Sequence, residues 1–255
     1  MVNRVTNKHL LKIAESAVRL AGDELKSSRE FLVKIESELH RDIKIKGDKV
    51  SEKILINYLK EHSPFKIISE ESYQYDNSFS DKEPMWIVDP LDGSLNYSRG
   101  IPLCCISVGL WIGYQPILGV IFDFNNDKMF LGVMGEGAWL NNKEIEVGSI
   151  SQKEKAVLCT GFPVNSDFET DSIKQFIMDI RQYKKVRLLG SAALSLVYVA
   201  SGKVDAYYEK DIMLWDIAGG LAILLGAGGT YKIEKGKKEN TFNVYASNYH
   251  MVDSF

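Results

Sequence analysis

Two aspartates three positions apart carry the strongest chemical signal in the sequence. Asp89 and Asp92 follow the apolar run at residues 86–88, and Gly93 and Ser94 come directly after them. Around a sharp turn both carboxylates can direct oxygens at a hard cation such as Mg²⁺, and the amides of Gly93 and Ser94 can point at a phosphate if a helix begins there. The same residues also fit two turn aspartates and a helix N-cap, because Asp-Pro and Asp-Gly are common turn dipeptides.

Acidic residues follow two further apolar elements. Glu70 and Glu71 end a predicted strand, and adjacent acids repel each other unless a cation lies beside them. Asp216 lies at the start of a predicted apolar helix, where the helix dipole favours an acid. Taken alone, Asp216 therefore also fits a helix cap. Three acidic clusters, each at the junction of an apolar element, favour convergence on one site.

The elements that must position these acids can be read from hydrophobic spacing. Helical periodicity predicts amphipathic helices at residues 10–25 and 50–59, separated by a charged, irregular segment at 32–47 of the kind that is often functional. Strand patterns follow at residues 66–68, 85–88, 105–111, 117–123 and 129–134, and a hairpin is predicted to turn at Asn141 and Asn142. In the second half, strands at 157–160, 186–189, 205–209 and 244–246 alternate with helices at 167–181, 191–200 and 215–226.

The composition excludes several classes of protein. The chain has 255 residues, 45% of them hydrophobic and 25% charged, which is typical of a globular protein with a sizeable core. A formal net charge of -3 provides no basic field, so we expect no direct nucleic-acid binding. The three cysteines, Cys104, Cys105 and Cys159, show no C-x-x-C spacing, and the N-terminus resembles no signal peptide. Together these features predict a cytoplasmic location.

One segment is long enough to raise the question of a membrane. Residues 101–122 contain no charged side chain, a length that can span a bilayer. However, Pro102, Gly113 and Pro116 interrupt the segment, and its β-branched residues favour two buried strands joined by a turn at residues 113–116. We therefore expect no membrane association.

Taken together, these motifs resemble a known family. Glu70-Glu71, the run from Asp89 to Tyr97, and Trp215-Asp216-Ile217-Ala218-Gly219 are similar, in order and spacing, to the inositol monophosphatase family of Mg²⁺-dependent, lithium-sensitive phosphatases. The resemblance spans essentially the whole chain. It implies an α+β fold, a layered α/β/α/β/α sandwich of the inositol monophosphatase / fructose-1,6-bisphosphatase type. The sequence has no internal repeat and no Pro/Gly/Ser-rich linker, which predicts a single compact unit, 1–255. The resemblance implies most metal ligands in residues 1–148, and the substrate contacts and one ligand in 149–255.

The resemblance assigns roles to particular residues. The metal ligands it implies, for two or three Mg²⁺ ions, are Glu70, Asp89, the carbonyl of Leu91, Asp92 and Asp216. Glu70 and Ser94 would orient and deprotonate the attacking water, and Asp48 would support a more weakly held ion. The amides of Gly93 and Ser94 would hold phosphate oxygens. The implied contacts to substrate hydroxyls are Gly190, Ser191, Ala192 and Glu209. Tyr207 and Tyr208 are expected to be packing residues.

Two positions depart from the family pattern. Ser94 stands where threonine is usual, which keeps the hydroxyl and loses a methyl group, so catalysis should survive. Ser69 replaces the glycine that commonly precedes the two glutamates, and it is expected to alter the strand end slightly.

Several functions remain open at this point. The first is hydrolysis of an inositol monophosphate, with a sugar phosphate of polysaccharide metabolism as a competitor that the loop at residues 162–165 would help to select. A bisphosphate nucleotidase is less favoured. Its motif resembles Asp-Gly-Thr-Lys-Glu-Phe, whereas residues 92–97 of this chain are Asp-Gly-Ser-Leu-Asn-Tyr, which is closer to the inositol branch of the family. A haloacid-dehalogenase-like phosphatase needs two acids two residues apart, whereas Asp89 and Asp92 are three apart. The non-enzymatic alternative is a protein-binding regulator. The resemblance also implies a homodimer.

Overall fold

A computed structural model describes residues 6–39, 42–73, 82–162, 168–237 and 241–254. The larger of its sheets consists of β3 (Lys66–Ser69), β4 (Pro84–Asp92), β5 (Cys105–Ile112), β6 (Gln115–Asp123), β7 (Lys128–Val133), β8 (Gly137–Leu140) and β9 (Lys143–Glu144). These strands lie side by side in chain order, with β3 parallel to β4 and every later pair antiparallel. The predicted turn at Asn141 and Asn142 is confirmed, and both residues have positive φ as a tight hairpin requires.

A smaller sheet is formed by the second half of the chain. Its strands are β10 (Val157–Thr160), β11 (Lys185–Arg187), β12 (Ala206–Met213), β13 (Gly229–Lys235) and β14 (Thr241–Asn248), in the order β11-β10-β12-β14-β13. The predicted strands at 157–160, 186–189, 205–209 and 244–246 all correspond to strands here, within a few residues. The strand β13 was not predicted, because its alternating pattern is mostly half-exposed and carries several charged side chains.

Helices cover both faces of the sheets. They are α1 (Asn7–Ser27), α2 (Arg29–Leu32), α3 (Lys46–His62), α4 (Ser94–Arg99), α5 (Thr170–Ile180), α6 (Ala192–Ala200) and α7 (Leu214–Gly226), with 3-10 helices at Lys153–Lys155 and Tyr249–Ser254. A hydrophobic core lies between α1 and α3 and one face of the larger sheet, and a second core holds α6 and α7 between the two sheets. A third, smaller core on the outer face of the smaller sheet receives Ile180 of α5. The layers confirm the predicted α/β/α/β/α arrangement.

The central helix α7 rests on a track of glycines. Gly109, Gly119 and Gly132 are paired across the neighbouring strands β5, β6 and β7. A Cβ atom at any of them would overlap α7, and at Gly119 it would meet the carbonyl oxygen of Gly219. The absence of side chains along this track lets the helix backbone lie directly on the sheet. This close approach fixes the position of the first turn of α7, which carries Asp216.

Two expectations are corrected by the structure. The segment at 32–47 is not irregular: it contains β1 (Ile35–Leu39) and β2 (Asp42–Ile45), which pair antiparallel. Strand spacing was hard to see there because its side chains are largely charged or exposed. The strand predicted at residues 85–88 also extends further, since β4 continues to Asp92 through a bulge. The predicted start of α5 at residue 167 and most of the loop at 162–165 lie outside the described residues.

The apolar segment at 101–122 forms β5, β6 and the turn between them, as predicted. Among the described residues, no helix combines the length and hydrophobicity needed to cross a bilayer.

Candidate active site

Acidic side chains from three elements meet in one cleft. One carboxylate oxygen from each of Asp89, Asp92 and Asp216 lies within 4.8 Å of the other two. The cleft has a volume of about 180 Å³, and Glu70 and Leu91 also form part of its wall. The convergence expected from the sequence is therefore present, with β4, α7 and the residue that directly follows β3 each contributing to it.

The bulge in β4 explains how two aspartates three residues apart face the same way. In a regular strand, residues an odd number apart point to opposite faces of the sheet. Between Asp89 and Asp92 the register with β5 shifts: Asp89 is opposite Ser107, and Asp92 is opposite Cys105. A bulge re-aims side chains in this way. Both carboxylates are thus directed into the cleft from the end of one rigid strand.

Gly93 makes the turn that follows this bulge. It adopts a left-handed conformation, with φ of 88°, that L-residues rarely adopt. A Cβ atom there would also lie 2.8 Å from the carbonyl oxygen of Leu103. The chain can therefore turn directly from the bulge into α4, whose first residue is Ser94.

The hydrogen bonding of Asp89 indicates that a cation belongs in the cleft. Its Oδ1 accepts from the amide of Leu91 at 3.0 Å. Its Oδ2 is fully buried and has no hydrogen-bond partner within the described parts of the chain. Burying such an oxygen without a partner is costly, and buried carboxylates normally pair or coordinate a metal. A donor set made only of oxygens suits a hard ion such as Mg²⁺.

Asp92 is held by the start of α6. Its Oδ2 accepts from the hydroxyl of Ser191 at 2.6 Å and from the amide of Ala193 at 2.7 Å, and the thiol sulfur of Cys105 lies 3.9 Å away. These donors engage one carboxylate oxygen, and Asp92 also forms part of the cleft wall. Ser191 caps α6 through the same hydroxyl, which accepts from the amide of Leu194.

A second group of side chains lies at the edge of the cleft. The Ser94 hydroxyl donates to Asp48 Oδ1 at 2.6 Å, and it lies 2.9 Å from the carbonyl oxygen of Leu91. The other oxygen of Asp48 accepts from the amide of Ile45, at the start of α3. Asp48 and Ser94 are therefore connected to each other and to the Leu91 carbonyl.

The electrostatics of the apo site oppose ionisation of the acids. Burial, followed by the charge of Asp216, holds the pKa of Glu70 well above its usual range. Burial, followed by the charge of Glu70, does the same to the pKa of Asp89, and burial followed by Asp92 raises the pKa of Asp216. Burial raises the pKa of Asp48 to about 7 and that of Asp92 to about 6. A bound cation would remove this opposition, because it favours the charged form of each acid.

Glu209 faces a separate and larger cavity. This cavity has a volume of about 480 Å³, and Gly161, Phe162 and Phe176 also contribute to its wall. The Glu209 carboxylate accepts from the hydroxyl of Tyr207 at 2.8 Å, and burial raises its pKa to about 8. Its charge also contributes to the raised pKa of Asp216, which forms part of the wall of the acidic cleft.

The structure separates the predicted substrate contacts into two groups. Gly93, Ser94 and Glu209 line cavities. Ser191 and Ala192 are largely buried, and the Ser191 hydroxyl is engaged with Asp92. Gly190 takes a left-handed turn just before α6.

Tyr207 has a role that sequence reasoning missed, since it holds Glu209 in addition to packing. The i, i+2 spacing of the two residues on β12 was the available signal, because it places both on one face.

Comparisons with known proteins find one family along nearly the whole chain. Residues 6–252 match the model of the inositol monophosphatase family. The chain is 35% identical to inositol monophosphatase 3 of Solanum lycopersicum, over 97% of this chain and 95% of the relative. It is 33% identical to Nus factor SuhB of Pasteurella multocida, over 86% of this chain and 83% of the relative.

A solved structure shows the same architecture. The inositol monophosphatase from Anabaena superposes with a TM-score of 0.80 at 32% identity, covering 95% of this chain and 92% of that one.

Proposed function

Because the chain belongs to the inositol monophosphatase family of metal-dependent phosphoric monoester hydrolases, we propose that it hydrolyses an inositol monophosphate or a related small sugar or polyol phosphate. The proposal assigns Mg²⁺, as two or three ions, to Glu70, Asp89, the Leu91 carbonyl, Asp92 and Asp216. The observation that carries it is the meeting of three carboxylates within 4.8 Å beside the unpartnered Oδ2 of Asp89.

When bound, Mg²⁺ supplies polarisation of the phosphoryl oxygens and lowers the pKa of a water molecule. The remaining work is assigned to the chain. Glu70 and Ser94 orient the attacking water and take its proton, and Asp48 accepts the Ser94 hydrogen bond that fixes this geometry. The amides of Gly93 and Ser94, on the cleft wall, hold phosphate oxygens. No side chain is assigned as a covalent nucleophile, so water attacks phosphorus directly.

The second cavity can accommodate a hydroxylated leaving group. Its volume of about 480 Å³ lies in the range of small-molecule sites. The Glu209 carboxylate on its wall can accept hydrogen bonds from the hydroxyls of a polyol or sugar, while Tyr207 holds that carboxylate in place. Ser191 and Ala192 support the site indirectly, because they belong to the helix start that holds Asp92.

A cytoplasmic location and a homodimer belong to the same proposal. All three cysteines are free and buried, which supports a reducing compartment. The homodimer rests on the family resemblance. The relative named Nus factor SuhB keeps a protein-binding role in view, but a binding role alone gives no reason for four carboxylates to line one cleft.

The test is a phosphate-release screen with inositol, sugar and nucleotide phosphates, run with Mg²⁺ and after exhaustive chelation. We expect the highest kcat/KM for an inositol or sugar monophosphate, and loss of at least 99% of turnover without metal. Unchanged turnover after chelation would refute the metal site, and a clear preference for bisphosphate nucleotides would refute the substrate class. Stereochemistry at phosphorus tests direct attack: a single turnover of a chiral phosphate ester should invert, and retention would indicate a phospho-enzyme.

A further inference from the structure

The side chain of Asn96 joins segments that are far apart in the chain. Asn96 lies in the first turn of α4, two residues after Ser94. Its Nδ2 donates to the carbonyl oxygen of Leu103 at 2.7 Å and to that of Leu189 at 2.8 Å, and the carbonyl oxygen of Gly190 lies 3.4 Å away. A side-chain amide nitrogen carries two hydrogens, so the two shorter contacts use its full donor capacity. Asn96 therefore connects the helix that begins at Ser94 to the turn before α6.

These contacts lie in a closely packed junction. Gly93 and Gly190 both adopt left-handed conformations, with φ of 88° and 71°. A Cβ atom at Gly93 would lie 2.8 Å from the carbonyl oxygen of Leu103 and 3.1 Å from that of Gly190. A Cβ atom at Gly190 would lie 2.9 Å from Asn96 Nδ2. The turn at Gly93, the segment before β5 and the turn before α6 therefore meet around one side-chain amide.

The two sides of this junction carry different parts of the proposed active site. On one side, the Gly93–Ser94 turn provides the amides assigned to phosphate and the hydroxyl assigned to the attacking water. On the other side, the start of α6 holds Asp92 through the Ser191 hydroxyl and the Ala193 amide. Displacing such groups by about 1 Å relative to one another can reduce a rate about a hundredfold. The contacts of Asn96 therefore link the groups assigned to phosphate and water to the helix start that holds a metal ligand.

The position calls for a side chain with two donor hydrogens. A carboxylate at position 96 would have the same shape, but it has no N–H group and would place an oxygen against the carbonyl oxygens of Leu103 and Leu189. Alanine would leave those carbonyl oxygens to water, which can reach a half-buried position. We therefore expect aspartate to disturb the junction more than alanine does.

We propose that Asn96 is a positioning residue, which holds the Gly93–Ser94 turn against the start of α6 and so sets where phosphate binds relative to Asp92. Asn96 is not among the described residues that line the cleft. The inference rests on the proposed function and goes beyond it, because it assigns a role in phosphate binding to a residue outside the cleft wall.

The experiment compares Asn96→Ala and Asn96→Asp with Ser98→Ala. The Ser98 hydroxyl donates to the carbonyl oxygen of Leu95 in the same helix, so the control removes a hydrogen bond that stays within α4. Calorimetric titration with inorganic phosphate, at saturating Mg²⁺, should show at least tenfold weaker binding for Asn96→Ala, a larger loss for Asn96→Asp and no change for Ser98→Ala. The kcat/KM for phosphate release should fall by a similar factor. Mg²⁺ affinity of the apo proteins should stay within threefold of the wild type, because the donors to Asp92 remain in place.

A purely structural role of Asn96 makes a different prediction. It would lower the melting temperature and leave the phosphate affinity of the folded protein unchanged well below that temperature. Val18→Ala, a truncation in the core between α1 and the larger sheet, shows what destabilisation alone does. Phosphate affinity in Asn96→Ala equal to that in Val18→Ala would overturn the inference.

Asn96→Ser covers the case in which Asn96→Ala does not fold, because serine keeps one donor, and the same comparison with Val18→Ala then decides. A wild-type protein that binds neither Mg²⁺ nor phosphate would refute the proposed function and the inference with it. Normal binding by the wild type and by Asn96→Ala would refute the inference alone, so the two failures are distinguishable.

Discussion

At the scale of single residues, Asp89 shows most directly why the cleft requires a cation. One of its oxygens is satisfied by the amide of Leu91, and the other is buried among acids with no hydrogen bond among the described residues. A role in a turn would not explain why the second oxygen is buried without a hydrogen bond, because a turn uses only the oxygen that accepts from the Leu91 amide. The two interpretations of Asp89 therefore differ in what its replacement should do.

We expect Asp89→Asn to leave the apo protein as stable as the wild type or slightly more stable. Its amide oxygen can still accept from Leu91, and a repelling charge is removed. Mg²⁺ affinity and turnover should both fall at least a hundredfold. The matched control is Asp123→Asn, another buried aspartate whose partner is Asn126. Thermal melts with and without Mg²⁺, with phosphate-release rates, provide the measurement; near wild-type turnover in Asp89→Asn would support the turn interpretation.

The residues that sequence could identify are those with a local signal. Asp89, Asp92 and Glu70 each follow an apolar strand, so their place at a strand end was predictable from the chain around them. The groups that donate hydrogen bonds to the acids were not predictable in this way. Cys105 and Ser191 reach Asp92 from elements 13 and 99 positions away, and Lys44 reaches Glu71 across 27. Such contacts depend on packing, which a single sequence does not specify.

At the scale of elements, the helices and strands that were predicted are those whose apolar and polar residues alternate clearly along the sequence. The helices α1 and α7 and the strands β5 and β6 have clear apolar patterns and were predicted. The hairpin of β1 and β2 and the strand β13 have mostly exposed or charged side chains, so their period of two was obscured. The β4 bulge was missed for a different reason: Asp-Pro is typical of a strand end, and only pairing with β5 shows that the strand continues.

The glycine track predicts a strong effect from one small substitution. In Gly119→Ala the added methyl would overlap the backbone of α7 at Gly219, so the helix must move away from the sheet. We expect a loss of about 1–3 kcal/mol in the free energy of unfolding, as is usual for an overpacked core. Mg²⁺ affinity should fall as well, because the first turn of α7 carries Asp216.

Gly148→Ala is the control for this substitution. A Cβ atom at Gly148 makes only ordinary contact, at 3.4 Å from Asp205. We expect a change within about 0.5 kcal/mol there, as for most substitutions away from the core. Urea denaturation and Mg²⁺ titration of both variants provide the measurement. Equal behaviour of the two would mean that α7 does not depend on the glycine track for its position.

At the scale of the whole molecule, the apo protein stores unfavourable electrostatic free energy in its acidic site. Burial raises the pKa of Asp92, Asp48 and Glu209 to about 6, 7 and 8 respectively, whereas unfolded aspartate and glutamate titrate near pH 4. Between about pH 4 and pH 8 the folded protein therefore binds more protons than the unfolded chain. These groups therefore contribute most to stability below about pH 4, and their contribution is lost as the pH rises to about 8.

Glu209→Gln isolates one part of this effect. The amide can still accept from the Tyr207 hydroxyl, but it does not ionise, so the variant avoids the loss that the wild type suffers as pH rises. In the presence of a chelator, the stability of Glu209→Gln relative to wild type should increase between about pH 5 and 8, by at most about 1.4 kcal/mol per pH unit. Urea midpoints across this range measure the difference. Saturating Mg²⁺ should reduce the pH dependence of the wild-type stability. A bound cation favours the charged form of the neighbouring acids, and it stabilises the folded state that binds it. A difference that stays constant from pH 5 to 8 would show that Glu209 is ionised throughout and that burial does not shift its titration.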